Sequence, residues 1–247
     1  MQEIKFNKID GQELSTFIKK LLSIDKFIFM KIASEGTISS VYLPERDAVK
    51  LVKQPTSEIF EGKLNEPVKV SFYNGTKVIE ALSHFNGDIT GRIKYSEFDG
   101  EMMASDFIIE NDDLTINLAC ADPSLSFMEM NKDEMSRAFA TDAKIFQFDL
   151  LTTQVDRMKS LFTLDKDEEV FTLYTHDNVI KIKGKSYDSN VCHGAEGKGG
   201  SVTIYKKYLG LLDKENYRVI VCSNKVVFRS LDTDTVLTVA VAIVDED

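Results

Sequence analysis

The chain has 247 residues, of which 43% are hydrophobic and 28% are charged, so it can fold into one large domain or two ordinary ones and is not disordered as a whole. Its formal net charge is −10 at pH 7, which on its face argues against a nucleic-acid partner, because phosphate binding favours a basic surface. No apolar run approaches the roughly 20 residues that cross a bilayer, and the start MQEIKFNKID lacks the basic and apolar regions of a signal peptide, so we expect a cytoplasmic protein without membrane contact.

The first half of the chain predicts two short units with the same order of elements, a strand, a helix and three more strands. The first unit reads EIKFNKI, QELSTFIKKLLS, FIFMKIA, TISSVYL and AVKLVK, and the second reads VKVSFY, TKVIEALSHF, ITGRIKYSE, EMMASDFII and LTINLAC. Alternating apolar residues predict the strands, and apolar residues at helical spacing predict the helices.

The second half predicts the same order twice more. The third unit reads IFQFDLL, TTQVDRMKSLF, EVFTLYT, VIKIKGK and an extended run within SYDSNVCHG, and the fourth reads SVTI, YKKYLGLLDK, YRVIVC, KVVFRSL and TVLTVAVAIV. The strand in SYDSNVCHG has the weakest alternation. Turn dipeptides that suit hairpins separate strands in all four units; they are Glu35-Gly36, Asp99-Gly100, Asp177-Asn178 and Ser223-Asn224.

Units of this size cannot each bury a sheet face alone, so they should pair into two domains. The break is expected in ADPSLSFMEMNKDEMSRAFATDAK, which has no clean period of its own. We therefore predict an N-terminal domain over residues 1–120, a connector over 121–144 and a C-terminal domain over 145–247. The fold class is α+β, with helices on one face of antiparallel sheets.

Each predicted helix has an apolar stripe for packing on a sheet and a cationic outer face. The outward residues are Lys19, Lys20, Lys77, His84, Arg157, Lys159, Lys206, Lys207 and Lys214. On a single helix, exterior lysines are usually just solvated. Four helices with the same bias in an acidic chain indicate that one surface is positive enough to meet phosphate, and net charge then ceases to exclude DNA.

Four such units in two domains, with one connector and an acidic tail (AVAIVDED), resemble the DNA sliding clamps. Two domains per chain resembles the trimeric clamps, and ADPS at 121–124 looks like the connection in phage clamps. The resemblance implies a head-to-tail homotrimer that encircles duplex DNA without sequence preference and tethers a DNA polymerase. It also implies a clamp loader ATPase as partner and the cytoplasm of a bacterial host as location.

The resemblance further implies two protein-binding surfaces. A hydrophobic pocket under the connector would bind short peptides of partner proteins; the matching positions are Leu43, Leu125, Phe127, Met128, Ala242, Ile243 and Val244. The subunit interface would pair the strand around 114–119 with the extended run around 186–192 of the next subunit; the matching positions are Leu114, Ile116, Leu118, Tyr187 and Val191. The pocket residues, taken singly, could equally belong to the core.

No motif predicts catalysis, a metal or a cofactor. GAEGKGGS lacks the spacing of a phosphate-binding loop, the histidines show no metal-ligand spacing, and Cys120, Cys192 and Cys222 form no CxxC pair and favour buried free thiols. Two alternatives stay open: a β-rich structural phage subunit that does not bind DNA, and a hydrolase with distant carboxylates. A shared basic helix face favours the clamp over the first alternative.

Overall fold

The computed structural model describes residues 2–122 and 130–242. They belong to two compact units. The first unit runs to Pro44 and resumes from Lys50 to Asn131, and the second takes up the segment Glu45–Val49 and begins again at Lys132. The division between Asn131 and Lys132 lies inside the connector predicted over 121–144.

The first unit contains the predicted strand-helix-strand-strand-strand order twice. Its elements are β1 (Gln2–Ile9), α1 (Gly11–Leu22), β2 (Ile28–Ala33), β3 (Gly36–Tyr42), β4 (Ala48–Gln54), the short helix α2 (Thr56–Ile59), β5 (Phe60–Gly62), β6 (Val68–Phe72), α3 (Gly75–Ser83), β7 (Ile89–Phe98), β8 (Glu101–Glu110) and β9 (Thr115–Ala119). Only α2 and β5, between the two repeats, were not predicted.

The second unit repeats the order twice more. Its elements are α4 (Lys132–Phe139), β10 (Lys144–Leu150), α5 (Thr152–Leu161), a 3-10 helix (Phe162–Leu164), β11 (Val170–His176), β12 (Val179–Lys183), β13 (Asp188–His193), β14 (Glu196–Gly197), β15 (Ser201–Tyr205), a second 3-10 helix (Lys206–Leu211), β16 (Tyr217–Cys222), β17 (Lys225–Ser230) and β18 (Asp234–Ala240). The weakly predicted strand in SYDSNVCHG is therefore present, as β13. The fourth repeat has a 3-10 helix where the sequence predicted an α-helix.

Strand pairing shows that the two units are built alike. In the first, β5-β1-β7-β8-β9 and β4-β3-β2-β6 are each in hydrogen-bonded order, and in the second the matching sets are β14-β10-β16-β17-β18 and β13-β12-β11-β15. A parallel pair of β6 with β8 joins the two sets of the first unit. The α+β class and the repeated antiparallel sheets predicted from the sequence are confirmed.

Turn chemistry fixes the register of two predicted hairpins. At the β7–β8 turn, Asp99 and Gly100 have φ of 53° and 77°, and at the β11–β12 turn, Asp177 and Asn178 have φ of 49° and 63°. Two successive positive φ angles match the right-handed twist of the flanking strands, and Asp, Asn and Gly tolerate them best. The dipeptides read from the sequence therefore lie at these two turns.

Helix α4 was not predicted, since the sequence around it carries no apolar period. Its last carbonyls are instead satisfied from β17: Lys225 Nζ donates to Ala138 O at 3.1 Å and Arg229 Nη2 donates to Phe139 O at 3.2 Å. Cations at a helix C-terminus also interact favourably with its dipole. Tertiary contacts thus stabilise a helix that local sequence does not specify.

Candidate nucleic-acid interface and partner pocket

Helix α1 presents its predicted cations away from the core. Its N-cap is Asp10, whose Oδ1 accepts from the N–H groups of Gln12 and Glu13, each at 3.0 Å. The stripe that packs on the sheet is buried, and Lys19 on the opposite face is exposed while Lys20 is half-buried. The helix stripe and outer face predicted from spacing are both present.

Helix α3 packs beside α1 in the first unit. Asn74 caps it by accepting from Thr76 N–H at 3.0 Å, and Lys77 and His84 are exposed. Lys19 and Lys77 have no ion-pair partner among residues 2–122 and 130–242. Two helices in contact with each other therefore each expose a cation that is available to bind an anion.

Helix α5 buries Val155 and Met158 and leaves Arg157 exposed, with Lys159 half-buried. The guanidinium of Arg157 reaches the neighbouring strand, since Nη2 donates to Ser189 Oγ at 3.1 Å. Arg157 keeps its charge at the surface, but this hydrogen bond restricts its side chain.

The 3-10 helix of the fourth repeat places its lysines differently from the α-helix that the sequence predicted. Three residues per turn put Lys206 above buried Leu209 and Lys207 above exposed Gly210. Lys206 accordingly turns inward: Nζ donates to Asp165 O at 2.6 Å and lies 5.3 Å from the Phe162 ring centroid. The prediction that Lys206 lies on the outer face is thus corrected, because the helix has a shorter period.

Lys207 points outward but is paired. Its Nζ lies 2.8 Å from Asp47 Oδ2, which also accepts from Tyr208 Oη at 2.7 Å. This hydrogen bond to Asp47 raises the pKa of Lys207. Lys214 is exposed and follows the end of the 3-10 helix. Lysines 206 and 207, which the sequence could not tell from those of α1, are therefore engaged within the second unit.

A cavity of about 760 Å³ lies next to this cluster in the second unit. Its wall combines tyrosines, charged side chains and the end of β18; the lining residues are Asp47, Lys166, Glu168, Glu169, Tyr205, Lys206, Lys207, Tyr208, Ala240 and Val241. Burial and the hydrogen bond to Asp47 raise the pKa of Tyr208, so its hydroxyl stays protonated and can donate. The cavity wall thus presents aromatic, charged and small apolar side chains together.

The pocket residues predicted from the sequence lie partly beside this cavity. Ala242 is buried and its N–H donates to Thr203 O at 2.8 Å, directly after Val241 of the cavity wall. Leu43 is half-buried after β3. The other predicted positions, Leu125, Phe127, Met128, Ile243 and Val244, lie outside the described residues. Sequence reasoning missed Tyr205, Tyr208 and Asp47, which no motif marks.

Two strands lie at sheet edges where the sequence predicted a subunit interface. Among the described residues, β9 pairs only with β8 and β13 pairs only with β12. Leu114, Ile116 and Leu118 are half-buried, whereas Tyr187 and Val191 are each only 9% exposed. Tyr187 precedes β13, and burial followed by the charge of Asp165 raises its pKa to about 12. These two side chains already pack inside their own unit, so the open feature of β13 is its backbone edge.

Three solved structures superpose on nearly the whole chain. PCNA of A. fulgidus, bound to the C-terminal region of FEN-1, covers 100% of this chain and of its own at 11% identity, with a TM-score of 0.70. The PCNA2–PCNA3 complex of Sulfolobus tokodaii covers 97% of this chain and 99% of its own at 12% identity and a TM-score of 0.66. PCNA of Entamoeba histolytica covers 98% of both at 12% identity and a TM-score of 0.68.

The chain has the fold of the DNA sliding clamps. The likeness lies in the arrangement of the backbone, since no protein-family model matches the sequence and no curated protein matches it either. The clamp fold explains why the same outline recurs four times along the chain.

In residues 2–122 and 130–242, no three His, Cys, Asp or Glu side chains are grouped to hold a metal ion, and no helix there is long and apolar enough to span a bilayer. The cysteines are free thiols, of which Cys222 is buried and the other two half-buried. Burial raises the pKa of Cys120 to about 12 and that of Cys192 to about 11, so neither is a thiolate near neutral pH.

Proposed function

We propose that the protein is a sliding clamp, a ring that encircles duplex DNA and tethers a DNA polymerase for processive synthesis. The observation that carries the proposal is the packing of α1 beside α3, two neighbouring helices that each expose a lysine, Lys19 or Lys77, in a chain whose net charge is −10. A positive helix layer in an acidic protein lets the inner surface meet phosphate while other surfaces repel it.

We base ring closure on two open sheet edges. Among the described residues, β9 pairs only with β8 and β13 pairs only with β12. We infer that β9 of one copy pairs with β13 of the next, head to tail, which closes a homotrimer and covers both of these edges.

Enclosure makes tight DNA binding unnecessary. A closed ring is retained by topology, and lysine contacts to phosphate are independent of sequence and weaken with salt, so the ring can slide. We assign this role first to Lys19, Lys20 and Lys77, then to His84, Arg157, Lys159 and Lys214. We expect Lys206 and Lys207 to contribute less, because Asp165 O and Asp47 hold them.

Partner proteins would bind at the cavity by the end of β18. The similar A. fulgidus PCNA holds the C-terminal region of FEN-1, and a short peptide of that kind fits a cavity of about 760 Å³. We propose that the DNA polymerase and a clamp loader ATPase dock such segments here, with Ala242 next to the cavity wall.

We further propose that the protein has no catalytic role and that it acts in the cytoplasm of a bacterial host during phage replication. The phage assignment is a prediction that depends on the ADPS stretch at 121–124.

The test is retention on DNA of two topologies. Mass photometry of the pure protein should give the mass of three chains, and clamps loaded on nicked circular DNA should stay bound through gel filtration and be lost once the circle is linearised. A stable monomer, or equal loss from circular and linear DNA, would contradict the proposal. A trimer that never associates with DNA would favour the structural-subunit alternative.

A further inference from the structure

Two exposed leucines meet at one residue of the second unit. Leu151 is 48% exposed and Leu231 is 51% exposed, which places them among the few large apolar side chains at the described surface. Both adjoin Asn216, because Thr152 N–H donates to Asn216 Oδ1 at 3.2 Å and Leu231 N–H donates to Asn216 O at 2.8 Å. The register agrees, since Leu150 and Ser230 both pair with Tyr217 from the two sides of β16. The two leucines therefore lie on either side of Asn216 at one end of the sheet, and we name them the Leu151–Leu231 patch.

Leu151 occupies a position where leucine is costly. It is the N-cap of α5, whereas α1 and α3 use Asp10 and Asn74, whose side chains accept from the first N–H groups of the helix. Leucine has no acceptor and is among the least favoured N-cap residues. A residue that breaks a local rule without gaining burial is expected where function requires it.

The surroundings of the patch are acidic. Four acidic residues lie in the two stretches next to Asn216, which are residues 213–215 and 231–234; they are Asp213, Glu215, Asp232 and Asp234. Lys214 is the single basic residue in these two stretches. Asn216 N–H donates to Asp232 Oδ2 at 2.7 Å. The pKa of Tyr217, next to Asn216, is raised first by burial and then by the charges of Asp213 and Glu215. The negative field repels both DNA and a second copy of the same patch.

The patch lies far from the cavity already described. Strand β18 starts at Asp234, beside the patch, and ends at Ala240, in the cavity wall. Seven residues of strand span roughly 20 Å. Two partners can therefore occupy the two sites of one chain at the same time.

We propose that the Leu151–Leu231 patch is a second docking surface, for a protein segment that presents an apolar side chain flanked by lysine or arginine. The leucines supply the apolar contact and the surrounding carboxylates select the basic flanks. All of these residues belong to the second unit, so this proposal does not depend on ring closure or on DNA binding.

The test uses three labelled synthetic helical peptides with the full chain. One has leucines at i, i+3, i+4 and i+7 with lysines elsewhere, the second has glutamate in place of lysine, and the third has alanine in place of leucine. We expect fluorescence anisotropy to detect binding of the first peptide only. Leu151→Ser and Leu231→Ser should each weaken it about five- to tenfold, since each removes the burial of half a leucine side chain.

Leu164→Ser is the matched control, because Leu164 is 60% exposed but lies beyond the other end of α5. It should leave peptide binding unchanged. The Leu151→Ser variant should melt at the same temperature as the wild type or higher, because serine caps a helix, so weaker binding will not reflect unfolding. The proposal is overturned if the first peptide does not bind, if the alanine or glutamate peptide binds equally well, or if Leu164→Ser weakens binding as much as the patch variants.

Discussion

The helix pairs of the two units follow one repeat but use their cations differently. In the first unit, Lys19 and Lys77 are exposed and unpaired within the part of the chain that the structure describes. In the second unit, Lys206 donates to a backbone carbonyl and Lys207 is paired with Asp47. The same outline in sequence therefore provides free charge in one unit and internal cross-links in the other.

The difference comes from the type of helix. An α-helix returns to the same face after 3.6 residues, so a lysine next to an apolar stripe can still point outward. A 3-10 helix returns after three, which sets Lys206 above the buried Leu209. Repeated sequence thus conserves topology more strongly than it conserves the direction of individual side chains.

The largest expected effect is on DNA affinity. Changing Lys19 and Lys77 to glutamate should weaken binding to short linear duplex DNA, which enclosure cannot retain, about a hundredfold, because a trimer would lose six phosphate contacts and gain six repulsive charges. The salt dependence of binding should also become shallower. Dissociation constants measured at several salt concentrations check both expectations.

The matched control changes Lys63 and Lys198, which are exposed in loops of the two units, to glutamate. It applies the same charge change away from the helices and should leave the affinity for linear duplex DNA unchanged. If both double variants weaken binding equally, net charge and not the helix layer determines binding. Lys207→Gln should have less effect than Lys77→Gln, and the reverse order would contradict the contrast between the two units.

Two glycines show that the helices of the two units differ in how closely they are packed. A Cβ on Gly75, at the start of α3, would lie 2.4 Å from Ile28 Cγ1 and 3.1 Å from Ile18 Cγ2, whereas a Cβ on Gly210 would meet no atom within 4 Å. Gly75→Ala should therefore cost about 1–3 kcal/mol of unfolding free energy. Gly210→Ala should add about 0.4–1 kcal/mol by restricting the unfolded chain. Urea titrations measure both, and equal costs would contradict the described packing.

The sequence predicted most of the fold because the fold depends on local signals. Apolar spacing located α1, α3 and α5, and turn residues located the β7–β8 and β11–β12 hairpins. Apolar spacing did not predict α4, because this helix is stabilised by tertiary contacts: Lys225 and Arg229 of a distant strand cap its C-terminal end. The sequence did not predict the cavity for the same reason, since Asp47 and Tyr208 are 161 positions apart in sequence and meet only in the folded chain.

Asp47 offers a pH-dependent test of the second unit. Burial alone would raise its pKa, but hydrogen bonds from Lys207 and Tyr208 outweigh burial and hold the pKa below its ordinary value of 3.8. Because the pKa of Asp47 is lowered in the folded state, the ionised carboxylate contributes its full stabilisation of the fold above pH 3.8. That contribution is lost as the pH falls through the pKa of the folded state.

Asp47→Asn should therefore cost about 1–2 kcal/mol at pH 7, as expected for hydrogen bonds to a charged group. The difference from wild type should shrink as the pH drops below about 3.8. Thermal unfolding at pH 7 and at acidic pH gives both values, and Asp99→Asn at an exposed hairpin turn is the control. A difference that does not vary with pH would contradict the role of the carboxylate charge.

The smallest effects are expected at the helix N-caps, and they complete the contrast between the units. Asp10→Ala and Asn74→Ala each remove a side-chain acceptor from the first turn of α1 or α3 and should cost about 1 kcal/mol. Leu151→Ala should be nearly neutral, because leucine gives α5 no such acceptor and its side chain is half exposed. Chemical denaturation of the three variants measures the order directly. If Leu151→Ala were as costly as Asp10→Ala, Leu151 would contribute to packing within the unit, and its exposure would no longer indicate a docking surface.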